Sequence, residues 1–180
     1  MAHLMSRQHV PRASVRPGSK PTHTSTLIGY TTKRDTIVTA VDISQAVLEC
    51  AAAVATDIAG RVAWTRADLT SRPPPAGAFD LMSAHYFPLP HQPDHTALRG
   101  LLDAVAPGGT LLFATHDLAG LSPRPEQGFD PNDYYQPDDI ARLLDHNWTV
   151  LINETRPRTA PAPEGTHHTH DTVLRAQRLR

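Results

Sequence analysis

The chain has 180 residues, a formal net charge of −1, a hydrophobic share of 39% and 17 prolines. That length suits one domain, the near-neutral charge gives no global pull toward nucleic acid or anionic membrane, and the low apolar content with many prolines sets part of the chain outside the core. The single cysteine, Cys50, excludes an internal disulfide and a cysteine-based metal cage.

Cys50 lies in an alanine-rich run and is expected as a small buried or half-buried side chain. No apolar h-region opens the sequence, and no apolar run approaches the ~18 residues of a membrane span, so a cytoplasmic protein is expected. The basic residues are nearly all arginine, with Lys20 and Lys33 the two lysines. Together with abundant Ala, Pro, Thr and Asp, this suggests a GC-rich coding sequence of bacterial type.

In chain order, residues 1–35 differ from the rest. Arg7, Arg12, Arg16, Lys20, Lys33 and Arg34 all precede the first acid, Asp35, amid Pro, Ser, Thr and His without a period of 2 or 3.6. This reads as a disordered basic arm, with Ser25 to Tyr30 its one strand-like fragment. Residues 36–180 read as one α/β domain. Ile37 to Val41 is a β-branched strand ending on the carboxylate of Asp42, and Ser44 is the expected N-cap of a helix through Ala55. Val62 to Arg66 is a second strand, followed by Asp68. The proline loop Arg72 to Gly77 leads to a third strand, Phe79 to Ala84.

Leu98, Leu101, Leu102 and Val105 mark one apolar helical face, with Asp94 as a cap and Pro107-Gly108-Gly109 as the stop. Thr110 to Thr115 is a near-continuous apolar strand, as expected of one covered on both faces. Gln136 opens a helix with Pro137 in its first turn, and Ile140, Leu143 and Leu144 mark its buried face. Trp148 to Asn153 and His170 to Ala176 are strands joined by a Pro-, Thr- and His-rich loop, hence an antiparallel pair. Alternation of this kind implies a Rossmann-like, mostly parallel, doubly wound sheet with an antiparallel C-terminal hairpin.

Four motifs in order, Val-Thr-Ala-Val-Asp42-Ile-Ser, Arg-Ala-Asp68-Leu, Ala-Phe-Asp80-Leu and Leu-Leu-Asp-Ala-Val-Ala-Pro107-Gly108-Gly109, resemble those of class I S-adenosylmethionine-dependent methyltransferases. The likeness runs from about Thr36 to Arg178 and is nearest to small bacterial members similar to tellurite-resistance and thiopurine methyltransferases. It implies S-adenosylmethionine as cofactor and a small-molecule methyl acceptor as partner. It also implies Asp42 on the ribose hydroxyls with Ile43 beside it, Asp68 and Leu69 by the adenine, and Ser83 and Ala84 along the methionine side. A carboxylate at a strand end can accept both hydroxyls of a ribose diol. The residue types also allow other roles: Asp42 as a helix cap, Asp68 as a turn residue before the prolines. Asp80, inside its strand, reads as a structural partner.

The family's first strand, glycine-rich loop and helix should lie upstream of Ile37. The glycines before Gly60 are Gly18 and Gly29, and neither stands in a G-x-G. Thr31 to Thr36 cannot hold a crossover helix, because a parallel connection takes about a dozen residues or more. The first strand and helix are therefore expected to be missing. Arg-, Pro-, His- and Ser-rich text is also what an out-of-frame reading of GC-rich DNA yields.

Methyl transfer needs alignment and, for a protonated acceptor, a base. His85 and His116, each at the end of an expected strand, are the candidates, with Tyr86, Phe87, Tyr134 and Tyr135 as an aromatic acceptor wall. His168 and His170 point the same way on a strand, but no standard ligand set completes a metal site, and no metal is expected. Hydrolase and phosphotransferase motifs are lacking. A non-catalytic methyltransferase-like remnant or binding module is the alternative. Nucleic-acid binding would rest on the basic arm alone.

Overall fold

A computed structural model of the chain describes residues 28–31, 38–58, 60–159 and 169–180. The elements in order are β1 (Ile28–Thr31), β2 (Val38–Asp42), α1 (Gln45–Val54), β3 (Val62–Arg66), β4 (Phe79–His85), α2 (Thr96–Ala104), β5 (Val105–His116), α3 (Pro137–Leu143), β6 (Trp148–Pro157) and β7 (His170–Arg178). The strands form one sheet in the order β3-β2-β1-β4-β5-β7-β6.

The centre of this sheet is its unusual part. β1 lies between β2 and β4 and runs antiparallel to both. Ile28 faces Val41 and Ala84, while Thr31 faces Val38 and Leu81. The C-terminal end of the central strand thus lies at the edge where β2 and β4 begin. The six residues between Thr31 and Val38 suit a hairpin and are too few for a crossover. β2 and β3 pair in parallel through α1, and β4 and β5 through α2. β7 is antiparallel to both β5 and β6. All the strands except β1 and β7 share one direction, yet the β2–β3 and β4–β5 pairs are the parallel ones among the described neighbours. The sheet is Rossmann-like and mixed.

Strand alternation sorts the side chains into two faces. Val41, Ala84, Phe113 and Leu174 share one register row and Met82, Leu111 and Ala176 another. All are buried, and they cluster with Ala97, Leu98, Leu101 and Ala104 of α2 and with Ile140 of α3. On the opposite face α1 packs against β2 and β3 through Leu48 and Ala51. There Ala40 and Ser83 are buried, Leu112 is half-buried and Arg175 is exposed. Cover on this face thins toward β5 and β7, so β5 is fully covered on one face, where both had been expected.

Local chemistry accounts for the helix ends. Ser44 caps α1 by accepting from the Val47 N–H at 3.4 Å. α2 starts after His95, which is left-handed, and the Asp94 carboxylate accepts from the Thr96 N–H at 3.1 Å. Val105 is the first residue of β5 and not the last of the helix. Pro107-Gly108-Gly109 forms the irregularity between the β4–β5 pairs Phe79–Val105 and Leu81–Thr110. Gly108 has φ +78°, and a Cβ on Gly109 would lie 2.8 Å from the Ala106 carbonyl oxygen. α3 is short, closed by a capping box between Gln136 and Asp139. Ile140 is buried as expected, whereas Leu143 is 42% exposed, because the helix ends there before another turn could cover it. Cys50 is exposed, contrary to expectation, since α1 buries Leu48 and Ala51 and turns Cys50 outward.

Candidate functional site

β2, β3, β4 and β5 all present their C-terminal ends at one sheet edge, the edge where open α/β sheets hold ligands. By register Asp42, Ser83, His85, His116 and Asp171 lie on the same face. Asp42 and His85 are level with each other across the central strand, about 10 Å apart by strand spacing.

Asp42 is 3% exposed at the end of β2. Its Oδ1 accepts from the Ser44 N–H at 2.7 Å, while Oδ2 is buried with no partner. Burial pushes its pKa above 3.8, against the lowering effect of the Ser44 and Ile43 backbone N–H groups. Ser44 caps the helix, so Asp42 does not serve as its N-cap. Ile43 is 63% exposed, an apolar surface beside the carboxylate. The Ile43 carbonyl accepts from Arg66 Nε at 3.2 Å, and the Asp42 carbonyl accepts from the Ala67 N–H, which ties the ends of β2 and β3 together.

Asp68 makes a tight local turn. Its Oδ1 accepts from the Thr70 N–H at 2.9 Å and from the Thr70 hydroxyl at 2.6 Å. The Thr70 hydroxyl is the main reason its pKa falls below 3.8. Leu69, at 5% exposure, belongs to the core. Ser83 and Ala84 are 0% and 1% exposed within β4, so in this arrangement neither side chain forms an open wall. Ser83 Oγ lies 2.7 Å from His85 Nε2, and burial lowers the His85 pKa below 6.5. Asp80 sits half-buried within β4, as its sequence position implied.

His116 ends β5 and is drawn into a polar cluster with Tyr86, Arg158 and Asp171. Arg158 and Asp171 were not singled out in the sequence. The signal available was the register of the hairpin, which sets Asp171 opposite His116. The four aromatics divide instead of forming one wall, and Phe87 packs half-buried against the core. Tyr86 packs on His116, Tyr134 stacks on Phe129, and Tyr135 contacts His91 and His95. Residues 1–27 and 32–35, all of the expected basic arm except Ile28–Thr31, and His167 and His168 lie outside the described residues. Among the described residues no group of three or more His, Cys, Asp or Glu is arranged to hold a metal ion. No described helix is long and apolar enough to cross a membrane.

Comparison with known proteins follows the same lines. Residues 23–109 match the family model described as a methyltransferase domain. The structure is similar to the cyclase SpnF, with 21% identity and a TM-score of 0.57, covering 81% of this chain and 68% of that one. It is also similar to the N-methyltransferase NodS from Bradyrhizobium japonicum, with 16% identity and a TM-score of 0.55, covering 79% and 73%. A third is the 1,6-didemethyltoxoflavin-N1-methyltransferase of Burkholderia thailandensis, with bound 1,6-didemethyltoxoflavin and S-adenosylhomocysteine, at 18% identity and a TM-score of 0.51, covering 79% and 61%. No curated protein matches the chain. Residues 23–109 are thus similar to a methyltransferase domain, and the fold is shared with methyltransferases of known structure.

Proposed function

We propose that the chain is a cytoplasmic S-adenosylmethionine-dependent methyltransferase acting on a small molecule. The observation that carries this reading is the Asp42 carboxylate, buried at the ligand edge with Oδ2 lacking a partner. A ribose hydroxyl is the donor such an oxygen wants. Ile43, exposed next to it, offers an apolar face to an adenine ring. The described residues therefore fit the nucleoside half of the cofactor, with Asp68 and Leu69 at the neighbouring strand end assigned to the adenine side. Bound there, S-adenosylmethionine would supply an electrophilic methyl group.

This chain's part is to orient the reactants and to take a proton. His85 and His116 are the two bases at the edge. A cleft of about 600 Å³ lined by Asp117, Leu118, Asn132, Asp138 and Thr172 opens one residue past His116, with Thr172 on the sheet face opposite to His116 and Asp171. A small acceptor is supported by the 1,6-didemethyltoxoflavin bound to the Burkholderia neighbour.

One observation favours a second reading, a non-catalytic remnant that keeps only part of the site. β1 runs backward, so its C-terminal end lies at the edge opposite Asp42, and no loop following it in the chain starts at the ligand edge. Ser83 and Ala84, meant for the methionine side, are closed into the sheet. The fold also hosts a cyclase, a reminder that reaction type belongs to the site. We retain the division into a basic arm over 1–35 and an α/β domain over 36–180, with Ile28–Thr31 contributing a strand to the domain. Isothermal calorimetry with S-adenosylhomocysteine separates the readings. Micromolar binding that Asp42→Ala abolishes supports the enzyme; no heat from a folded sample supports the remnant.

A further inference from the structure

α1 carries a second apolar flank beside the one it buries. Leu48 and Ala51 are buried, and the helix packs against β2 and β3. Val47 and Val54 stand seven residues apart, about 10 Å along one line of the helix and roughly a quarter of a turn from that contact. Val54 is 62% exposed and Val47 is half-buried. Gln45 and Glu49 lie on the other flank, joined by a hydrogen bond of 3.1 Å from Gln45 Nε2 to Glu49 Oε1. A helix whose apolar residues extend beyond its core stripe is normally covered there too.

The flank has a direction. β2, α1 and β3 form a parallel unit, and such crossovers are right-handed in about 98% of cases. That hand turns Val47 and Val54 toward the side of β1 and β4, and Gln45 and Glu49 toward the β3 edge.

Position, charge and size together select the occupant. β1 starts at Ile28, in register with Val41 and Ala84, so the chain before it enters the sheet where β2 ends and α1 begins. Residues 1–27 precede it, and at about 3.3 Å per extended residue they are long enough to follow the whole flank. Residues 42–57 hold Asp42, Glu49 and Asp57 and no Lys, Arg or His, whereas residues 1–27 hold Arg7, Arg12, Arg16 and Lys20 and no acid. Opposite fields draw the two stretches together. α1 has ten residues; at about 15 Å by 10 Å one flank offers roughly 150 Å², far below the ~800 Å² per partner of a stable interface between free proteins. A tethered segment needs no such area, because its effective concentration is on the order of millimolar.

We propose that the segment 1–27 docks along the Val47–Val54 flank of α1. Its apolar side chains, Val10 and Val15 among them, cover the two valines, and its basic residues stay in the field of the three acids. The docking holds whether or not the chain transfers a methyl group.

The test is the nuclear Overhauser spectrum of the full chain with carbon-13-labelled valine methyl groups, the Val54 signals being assigned by their loss in Val54→Ala. The expected result is contacts from the Val47 and Val54 methyls to protons of residues 1–27, unchanged on dilution. Val54→Lys sets a positive charge against the basic segment at an exposed site, so the amide resonances of residues 1–27 should move to random-coil positions while the fold persists. Absence of these contacts in the folded chain overturns the proposal. Contacts found between differently labelled copies also overturn it and assign the flank to a second copy of the chain. Segment resonances unchanged in a folded Val54→Lys overturn it as well.

Discussion

Asp42→Asn should make the protein more stable and the cofactor site worse. The side chain is 3% exposed, and Oδ2 is buried without a partner. Leaving such an atom unsatisfied costs about 1–3 kcal/mol. Asparagine keeps an oxygen for the Ser44 N–H and removes the buried charge, but its amide N–H group takes the place of the unpartnered Oδ2, so only the cost of the charge is relieved and a gain of up to about 1 kcal/mol is expected, or up to roughly 2–4 °C in Tm for a chain of this size. The pH dependence gives the sign. Burial raises the folded pKa above 3.8, so between the unfolded and folded values the native state binds more protons than the unfolded one. The contribution of Asp42 is therefore full below about 3.8 and is lost as pH rises through the folded pKa. The advantage of Asp42→Asn should grow over that window and level off above it. Differential scanning calorimetry from pH 3.5 to 8 reads it directly. Binding should move the other way: replacing a charge-assisted acceptor by an amide loses about 1.5–3 kcal/mol, roughly 10- to 150-fold in S-adenosylhomocysteine affinity. A variant less stable than wild type at neutral pH, or one with the same pH slope, would refute the assignment of Asp42 as a strained acceptor.

Other outcomes are equally specific. Gly109→Ala would set a Cβ 2.9 Å from Val105 Cγ1 and 2.8 Å from the Ala106 carbonyl oxygen. Overpacking of this kind costs about 1–3 kcal/mol, a loss measurable by thermal melting. Asp68→Ala removes both bonds to Thr70. Because the folded pKa of Asp68 lies below 3.8, its stabilisation is present above 3.8 and is lost as pH falls through the folded value, so variant and wild type should converge in acid. The site is partly exposed, and the neutral-pH difference should stay below about 1 kcal/mol. Cys50 is exposed, so a thiol reagent should label it in the native protein without denaturant.

Much of the fold was legible because its signals are local. The span Val62–Arg66 of β3 matches its apolar run, and Ser44 caps the helix that its hydroxyl announced. The antiparallel β6–β7 hairpin followed from a connection too poor in helix formers to cross over. Six residues after Thr31 likewise ruled out a parallel crossover, and β1 is antiparallel. What sequence could not show was that a strand from the basic segment would fill the central slot, since β-strand partners are chosen by tertiary packing. Leu143 read as core because helical periodicity says nothing of where α3 stops. The site divided in the same way. Asp42 was visible as an acid ending a β-branched strand. Arg158 and Asp171 were not, because their meeting with Tyr86 and His116 depends on hairpin register and on two chain segments far apart in sequence.

The most direct measurement is a crystal structure of the chain with S-adenosylhomocysteine. The account requires the ribose diol on Asp42 Oδ2, the adenine along Ile43, and Ile28–Thr31 running antiparallel between β2 and β4. A ligand seated away from Asp42 would contradict the site, and a parallel central strand followed by a loop at that edge would contradict the fold.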